Sequence, residues 1–307
     1  MKLRFLQTLV ITALLTALVG ASYAQTRSIT ISTEPSATVW IDGVRYGKTD
    51  SSGKLTVKTI AVGGHTLRVR LDGFKEKTQA LSAAQRGEIK IALVKTTDEA
   101  ELAFQEAERL TTVDREKAAA AYERAIKLRP NYPEAYIGLA RVLSDAGDLD
   151  GAKKAVALAR RLRPKFAEAS TIEGRILKEA GEEQKAIAAF KRAITEGRGF
   201  QPEAYAGLGL LYKEKAEGSG GSGDFDNEDL NYTNSAKYLK TSLKQLSGAP
   251  DAIIIYQLLG LIYERQKKPA EAIQVYEEFL RFFPDTAEAE AVRSFIVQLK
   301  KDQVSPR

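Results

Sequence analysis

The sequence predicts two domains: a small all-β sandwich followed by an all-α superhelix of repeated helical hairpins. Between residues 28 and 95 the apolar side chains alternate with a period of two, and after Lys95-Thr96-Thr97 they recur with helical spacing. Prolines punctuate the helical part at a fixed interval, with Pro130 to Pro164 and Pro250 to Pro284 each 34 residues apart. The 307 residues, 44% hydrophobic and 28% charged, have the length and composition of two ordinary globular domains.

Residues 1–24 have the form of an export signal. Lys2 and Arg4 give a charged start, Leu6 to Val19 an apolar stretch, and Ser22-Tyr23-Ala24 a small-residue cleavage site. The mature chain is expected from about Gln25. An uncleaved membrane anchor is the alternative, which Thr8, Thr12 and Thr16 weaken by diluting the apolar run. Contact with a membrane is expected only if that segment is retained.

The β-domain is expected over residues 28–95. Ile29 and Ile31, Val39 and Ile41, Leu55 and Val57, Leu67, Val69 and Leu71, and Ile89, Ile91 and Leu93 mark half-buried strands. Turn residues separate them at Glu34-Pro35-Ser36, Asp42-Gly43, Asp50-Ser51-Ser52-Gly53, Gly63-Gly64 and Asp72-Gly73. With Val39 and Ile41 inward, Trp40 points outward, as do Arg68 and Arg70 on a later strand. An aromatic ring flanked by arginines suits a glycan or anionic polymer, and packing against the helical domain is the alternative. Residues 25–97 carry 12 Lys and Arg against 6 Asp and Glu, whereas residues 98–307 carry 32 against 34. The basic charge therefore sits in the first domain.

Glu34-Pro35-Ser36-Ala37, Val39-x-Ile41-Asp42-Gly43, Gly47-Lys48-Thr49, Gly63-Gly64-His65 and Asp72-Gly73-Phe74 together resemble the PEGA domain. Ser36 departs from the pattern, since the family usually has glycine there. The resemblance implies an extracytoplasmic β-module of bacterial surface and secreted proteins that binds rather than catalyses, with His65 holding a turn.

Helices are expected over 98–301, opened by a capping box from Asp98 and Glu101. Tyr136, Leu139, Ala140, Leu143, Ala152, Val156, Ala159 and Pro164 recur as Tyr256, Leu259, Gly260, Tyr263, Ala272, Tyr276, Phe279 and Pro284. This pattern resembles the tetratricopeptide repeat, and about five copies are expected. A C-terminal helix over 285–301 follows, whose Ala287, Ala291, Phe295 and Leu299 are expected to close the last open face. The resemblance implies a concave groove for a protein or peptide partner. Carried over by register, its positions are Glu134, Ile137, Arg141 and Asp145, then Glu168, Thr171, Arg175 and Lys178, then Leu210 and Lys213. Arg141 and Arg175 are equivalent and suited to a carboxylate or phosphate. The asparagines with which chaperone-binding members clamp a C-terminal carboxylate are missing at these positions. Residues 218–229, glycine- and serine-rich and then acidic, are expected to form a flexible loop.

Several function classes are excluded. Without cysteine the chain has no disulfide, thiolate nucleophile, cysteine zinc site or lipid-anchor cysteine, and its single histidine, His65, cannot make a two-histidine metal site. No pair of carboxylates stands apart from the charged helix faces, so neither enzyme activity nor a cofactor is expected. Export removes the usual nucleic-acid targets. The expected function is a non-enzymatic interaction scaffold of the periplasm or cell surface, with a glycan- or polymer-binding protein led by the β-module as the alternative.

Overall fold

The computed structural model describes residues 26–61 and 63–304. The expected export signal lies outside these residues. The β-domain has seven strands: β1 (Thr26–Ser32), β2 (Thr38–Ile41), β3 (Val44–Lys48), β4 (Lys54–Ala61), β5 (His65–Arg70), β6 (Lys77–Leu81) and β7 (Gly87–Lys90). They form two sheets, β4-β1-β7 and β3-β2-β5-β6, in which only the β1–β7 pair is parallel. Ile29, Ile31, Val39, Ile41, Val57, Leu67, Val69, Ile89 and Ile91 fill the space between the sheets, as the alternation requires. Each such side chain contributes about 1.5–3 kcal/mol on leaving water. Between Arg27/Ile60 and Ile29/Val57 the β1–β4 register shifts, which brings Ile60 into the same core out of strict alternation. The sequence does not signal β3 or β6, because each turns only one residue into buried surroundings, Val44 and Leu81.

The turn motifs hold the sandwich by specific bonds. Thr49, 4% exposed, donates to the Glu34 carbonyl at 2.7 Å and accepts from the Ala37 amide at 2.9 Å, so it fixes the Glu34-Pro35-Ser36-Ala37 turn. Ser36 adopts φ +65° in that turn, the left-handed conformation that glycine occupies without strain. Asp42 accepts from His65 Nδ1 at 2.6 Å and from the Thr66 amide at 2.7 Å, so His65 braces the Asp42-Gly43 turn.

Eleven helices follow among the described residues: α1 (Glu99–Leu110), α2 (Arg115–Leu128), α3 (Pro133–Asp145), α4 (Leu149–Leu162), α5 (Ala167–Glu179), α6 (Glu183–Glu196), α7 (Pro202–Gly221), α8 (Phe225–Leu246), α9 (Ala252–Arg265), α10 (Pro269–Phe282) and α11 (Ala289–Val304). The first ten pair into five hairpins, and α11 packs on α10. Small residues admit large ones: a Cβ on Gly174 or Gly207 would lie 2.6 or 2.5 Å from the Phe190 ring, and one on Gly260 would lie 2.2 Å from Tyr276. The capping box forms by half. Asp98 accepts from the amides of Ala100 and Glu101, while the Glu101 carboxylate accepts from Gln105 and Tyr132 instead of returning to Asp98.

Two expectations about the helices are corrected. Residues 218–229 are not a loop: α7 continues through Gly221, Gly223 at φ +82° makes the turn, and Asp224 caps α8 by accepting from the Asn227 amide at 3.2 Å. On α11 the buried face is Ala289, Val292 and Ile296, with Leu299 partly buried against the same core as expected, whereas Ala287 and Ala291 are exposed and Phe295 is 49% exposed.

Candidate functional site

The predicted groove cations are all engaged within the chain. Arg141 reaches Glu168 at 2.9 Å and Glu203 at 3.5 Å, linking three successive hairpins. Arg175 reaches Asp145 at 3.1 Å, Lys178 reaches Glu214 at 2.7 Å, and Lys213 reaches Glu217 at 2.6 Å. Burial opposes the charge on Arg141, but Glu203 and Glu168 outweigh it and raise its pKa. Glu168 is pushed up from the ordinary glutamate value by burial and by the like charge of Glu203, against the pull of Arg141 and Arg68. Leu210 is half-buried. Ile137 and Thr171, expected to face the groove, are each 1% exposed. Their shared register position points into the packing between helices, where Thr171 also bonds the Ala167 carbonyl at 3.0 Å.

The sequence reading missed the apolar end of this surface. Aligning Tyr256 with Tyr136 puts Ile254 and Leu261 at the register positions of Glu134 and Arg141. They are 63% and 51% exposed on α9. The same alignment was the signal that could have found them.

The Trp40 face of the β-module meets the first helix through Arg70, as the packing alternative expects for part of that face. Trp40 sits opposite Arg68 across β2 and β5, with the Arg68 guanidinium 4.4 Å and that of Arg70 5.4 Å from the ring centroid. Arg70 is 12% exposed, bonds Glu76 at 2.6 Å and Glu108 of α1 at 3.3 Å, and lies 4.8 Å from the Phe104 ring. Desolvation works against its charge, yet Glu76 and Glu108 raise its pKa. Next to it Gln105, 2% exposed, accepts from the Gly73 amide and donates to the Phe74 carbonyl, both at 2.8 Å. The Asp72-Gly73-Phe74 turn is thus bonded to the first helix through its backbone.

A second contact lies at the far end of the array. Tyr46 Oη donates to the Leu246 carbonyl at 3.3 Å, Thr59 Oγ1 to the Ser247 carbonyl at 3.2 Å, and Val44 is buried against the C-terminal hairpins. The Tyr46 phenol is pushed up to about 12 by burial, with Asp42 adding to the shift. A cleft of about 340 Å³ opens beside this contact, lined among others by His65, Phe200, Lys244 and Gln245. Among the described residues no group of histidines, aspartates and glutamates has the arrangement of a metal site, and no helix is long and apolar enough to cross a membrane.

Comparison with known proteins agrees with this architecture. The PEGA domain family matches residues 26–97, and two tetratricopeptide repeat families match residues 114–176 and 253–286. No curated protein matches the chain. Among solved structures, yeast Tom70 is similar at 17% identity over 68% of this chain and 41% of its own, with a TM-score of 0.53. The monomeric mutant of IFIT1 with Gppp-AAAA is similar at 14% identity over 67% of this chain and 45% of its own, with a TM-score of 0.50. A thermophilic tetratricopeptide protein of Thermus thermophilus reaches 18% identity over 64% of this chain and 99% of its own, with a TM-score of 0.48. At such identities the likeness is one of fold.

Proposed function

We propose, for a chain in which a PEGA domain is followed by tetratricopeptide repeats, that it serves as a non-enzymatic interaction scaffold exported to the periplasm or cell surface. The observation that carries this reading is the ladder of Arg141, Glu168 and Glu203 across the second to fourth hairpins, next to exposed Ile254 and Leu261 on the fifth. Charged groups set register and orientation, and exposed apolar side chains supply area, which is what docking of a protein segment needs. Each exposed ion pair is worth only ~0.2–1 kcal/mol, so a partner can exchange with it at little cost.

The β-module's envelope-facing role falls to the sheet turned away from Trp40. Lys54, Lys58 and Lys90 on β4 and β7 share its outward face. Of the residues that lead the glycan reading, Arg70 is held by Glu76 and Glu108. Photo-crosslinking in the native envelope tests the scaffold. A protein that crosslinks to wild type and is lost from both R141A/R175A and I254D/L261D supports it, and crosslinks to cell-wall polymer alone would sink it.

A further inference from the structure

Where the fourth hairpin meets the β-module, the helical array departs from its own pattern. α3 and α5 are each preceded by an aromatic residue, Tyr132 and Phe166, 9% and 7% exposed. Each ring is covered by a guanidinium, that of Arg129 at 4.7 Å and that of Arg163 at 4.4 Å from the centroid. The link before α7 is one residue longer, so Gln201 takes that position and the aromatic, Phe200, stands one place earlier. There it is 37% exposed, and no cation lies over it among the described residues.

The longer link is held firmly. It runs through Arg198 and Gly199 at φ +53° and +88°, closed by Gly199 N to Ile194 O at 2.8 Å and Phe200 N to Gly197 O at 3.0 Å. Gln245 of α8 braces it, accepting from the Gln201 amide at 2.8 Å and donating to the Gly199 carbonyl at 2.7 Å. Phe200 is thereby fixed as a wall of the cleft between the modules, whose volume of about 340 Å³ falls within the ~300–1,000 Å³ of small-molecule sites. Ile41 and Ile60 supply apolar wall on the β-module side.

Every polar side chain lining the cleft is engaged but one. Asp42 accepts from His65 and from the Thr66 amide. The hydroxyls of Tyr46, Thr241 and Ser247 each donate to a carbonyl, and both ends of the Gln245 amide serve the link. Lys244 is exposed and has no hydrogen bond or ion pair among the described residues. An occupant therefore meets an uncovered aromatic ring beside a single unpartnered charge, and that charge is positive.

We propose that this cleft binds a small planar organic anion, its ring laid on Phe200 and its carboxylate taken by Lys244. The site is separate from the partner-binding groove and goes beyond the scaffold reading. Because each module supplies a wall, the occupant fixes how the two sit against one another, and its binding is coupled to their contact.

Isothermal titration calorimetry with 2-naphthoate tests this on the full chain. Naphthoate should bind saturably at one site, and the isosteric neutral naphthamide about tenfold more weakly. Phe200→Ala and Lys244→Gln, both at exposed positions, should each weaken naphthoate about tenfold while leaving circular dichroism native. Lys127→Gln, in the separate recess between α1 and α2, should bind as wild type does. In amide nuclear magnetic resonance spectra the signals of Ile60 and His65 should shift together with those of Phe200 and Gln245 along one titration curve. Absence of saturable binding, equal affinity for naphthamide, unchanged affinity in F200A or K244Q, or a loss in K127Q would overturn the site. Shifts confined to one module would overturn the bridging of the two. None of these readings depends on the crosslinking result.

Discussion

Gln105 tests the contact between the β-module and the first helix most directly. It is 2% exposed, and its amide satisfies the Gly73 N–H and the Phe74 carbonyl, both at 2.8 Å, as well as bonding Glu101 at 3.0 Å. Gln105→Ala leaves two backbone groups of the β-module facing a void, each costing about 1–3 kcal/mol when unsatisfied. Alanine returns a few tenths of a kcal/mol through helix propensity, and Glu101 keeps its bond from Tyr132. The expected loss is about 2–4 kcal/mol, confined to the contact between the domains. Trp40 is the chain's only tryptophan and sits under Arg68 and Arg70 beside α1, so its fluorescence reports this contact while far-ultraviolet circular dichroism reports the helices. In urea the two signals should coincide for wild type. In Q105A the tryptophan transition should fall to lower urea and separate from the helical one. Gln105→Glu keeps the acceptor for Gly73 but sets a buried carboxylate against the Phe74 carbonyl and Glu101, and should lose at least as much. Coincident and unshifted transitions in Q105A would refute the argument that this amide joins the domains.

Three further outcomes are expected. Ser36→Gly relieves the strain of φ +65° and should stabilise the β-module by about 1 kcal/mol, measured as a shift of the Trp40 urea midpoint; a lower midpoint would show that the turn depends on the serine side chain. Phe190→Ala empties a fully buried site walled by Gly174 and Gly207, which cannot fill it, so the helical transition should lose about 4 kcal/mol in a urea titration, and a loss below half of that would contradict the packing. Glu168 has a raised pKa, so the folded chain binds its proton more tightly than the unfolded chain and stability falls as pH rises through that window. Glu168→Gln should therefore raise the melting temperature at pH 7 and lose that advantage below about pH 4, where the glutamate is protonated in both states; Glu182, drawn down to about 2 by Lys185 and Lys153, acts in the opposite direction, its contribution disappearing as pH falls toward that value.

How much was legible depended on whether a residue's role was local. Ile29, Val39, Leu67 and Ile89 announced buried strands because each alternates with polar neighbours along its own strand. The hairpins were equally plain, since Tyr136 and Tyr256, or Ala152 and Ala272, recur at the same position of the repeat. Composition misled where packing decided: Gly218 to Gly221 suggested a loop, but a long hairpin partner and a capping aspartate carry the helix through them. Register misled at Ile137, because a groove position inferred from a repeat does not specify how closely the neighbouring helix approaches. The contact between domains was legible only as the alternative for Trp40, because Gln105 and Gly73, or Thr59 and Ser247, are brought together only by how one module is set against the other.

One trace of that contact was present in the charges. The basic excess of residues 25–97 suggested an external anion, and its most buried arginine on the Trp40 face, Arg70, is matched instead by Glu76 and by Glu108 of the neighbouring domain. The two sheets thereby acquire different tasks. The β3-β2-β5-β6 sheet carries Arg70 to the first helix, where its low exposure leaves it less screened by salt than an exposed pair. The β4-β1-β7 sheet carries Lys54, Lys58 and Lys90 into solvent, with only Lys54 drawn to Glu88 at 3.5 Å among the ion pairs of the described residues. An anionic envelope surface can be met by this second face while Arg70 of the first stays on α1. Attachment through the lysines should therefore weaken with added salt under conditions that leave the Arg70 contact intact.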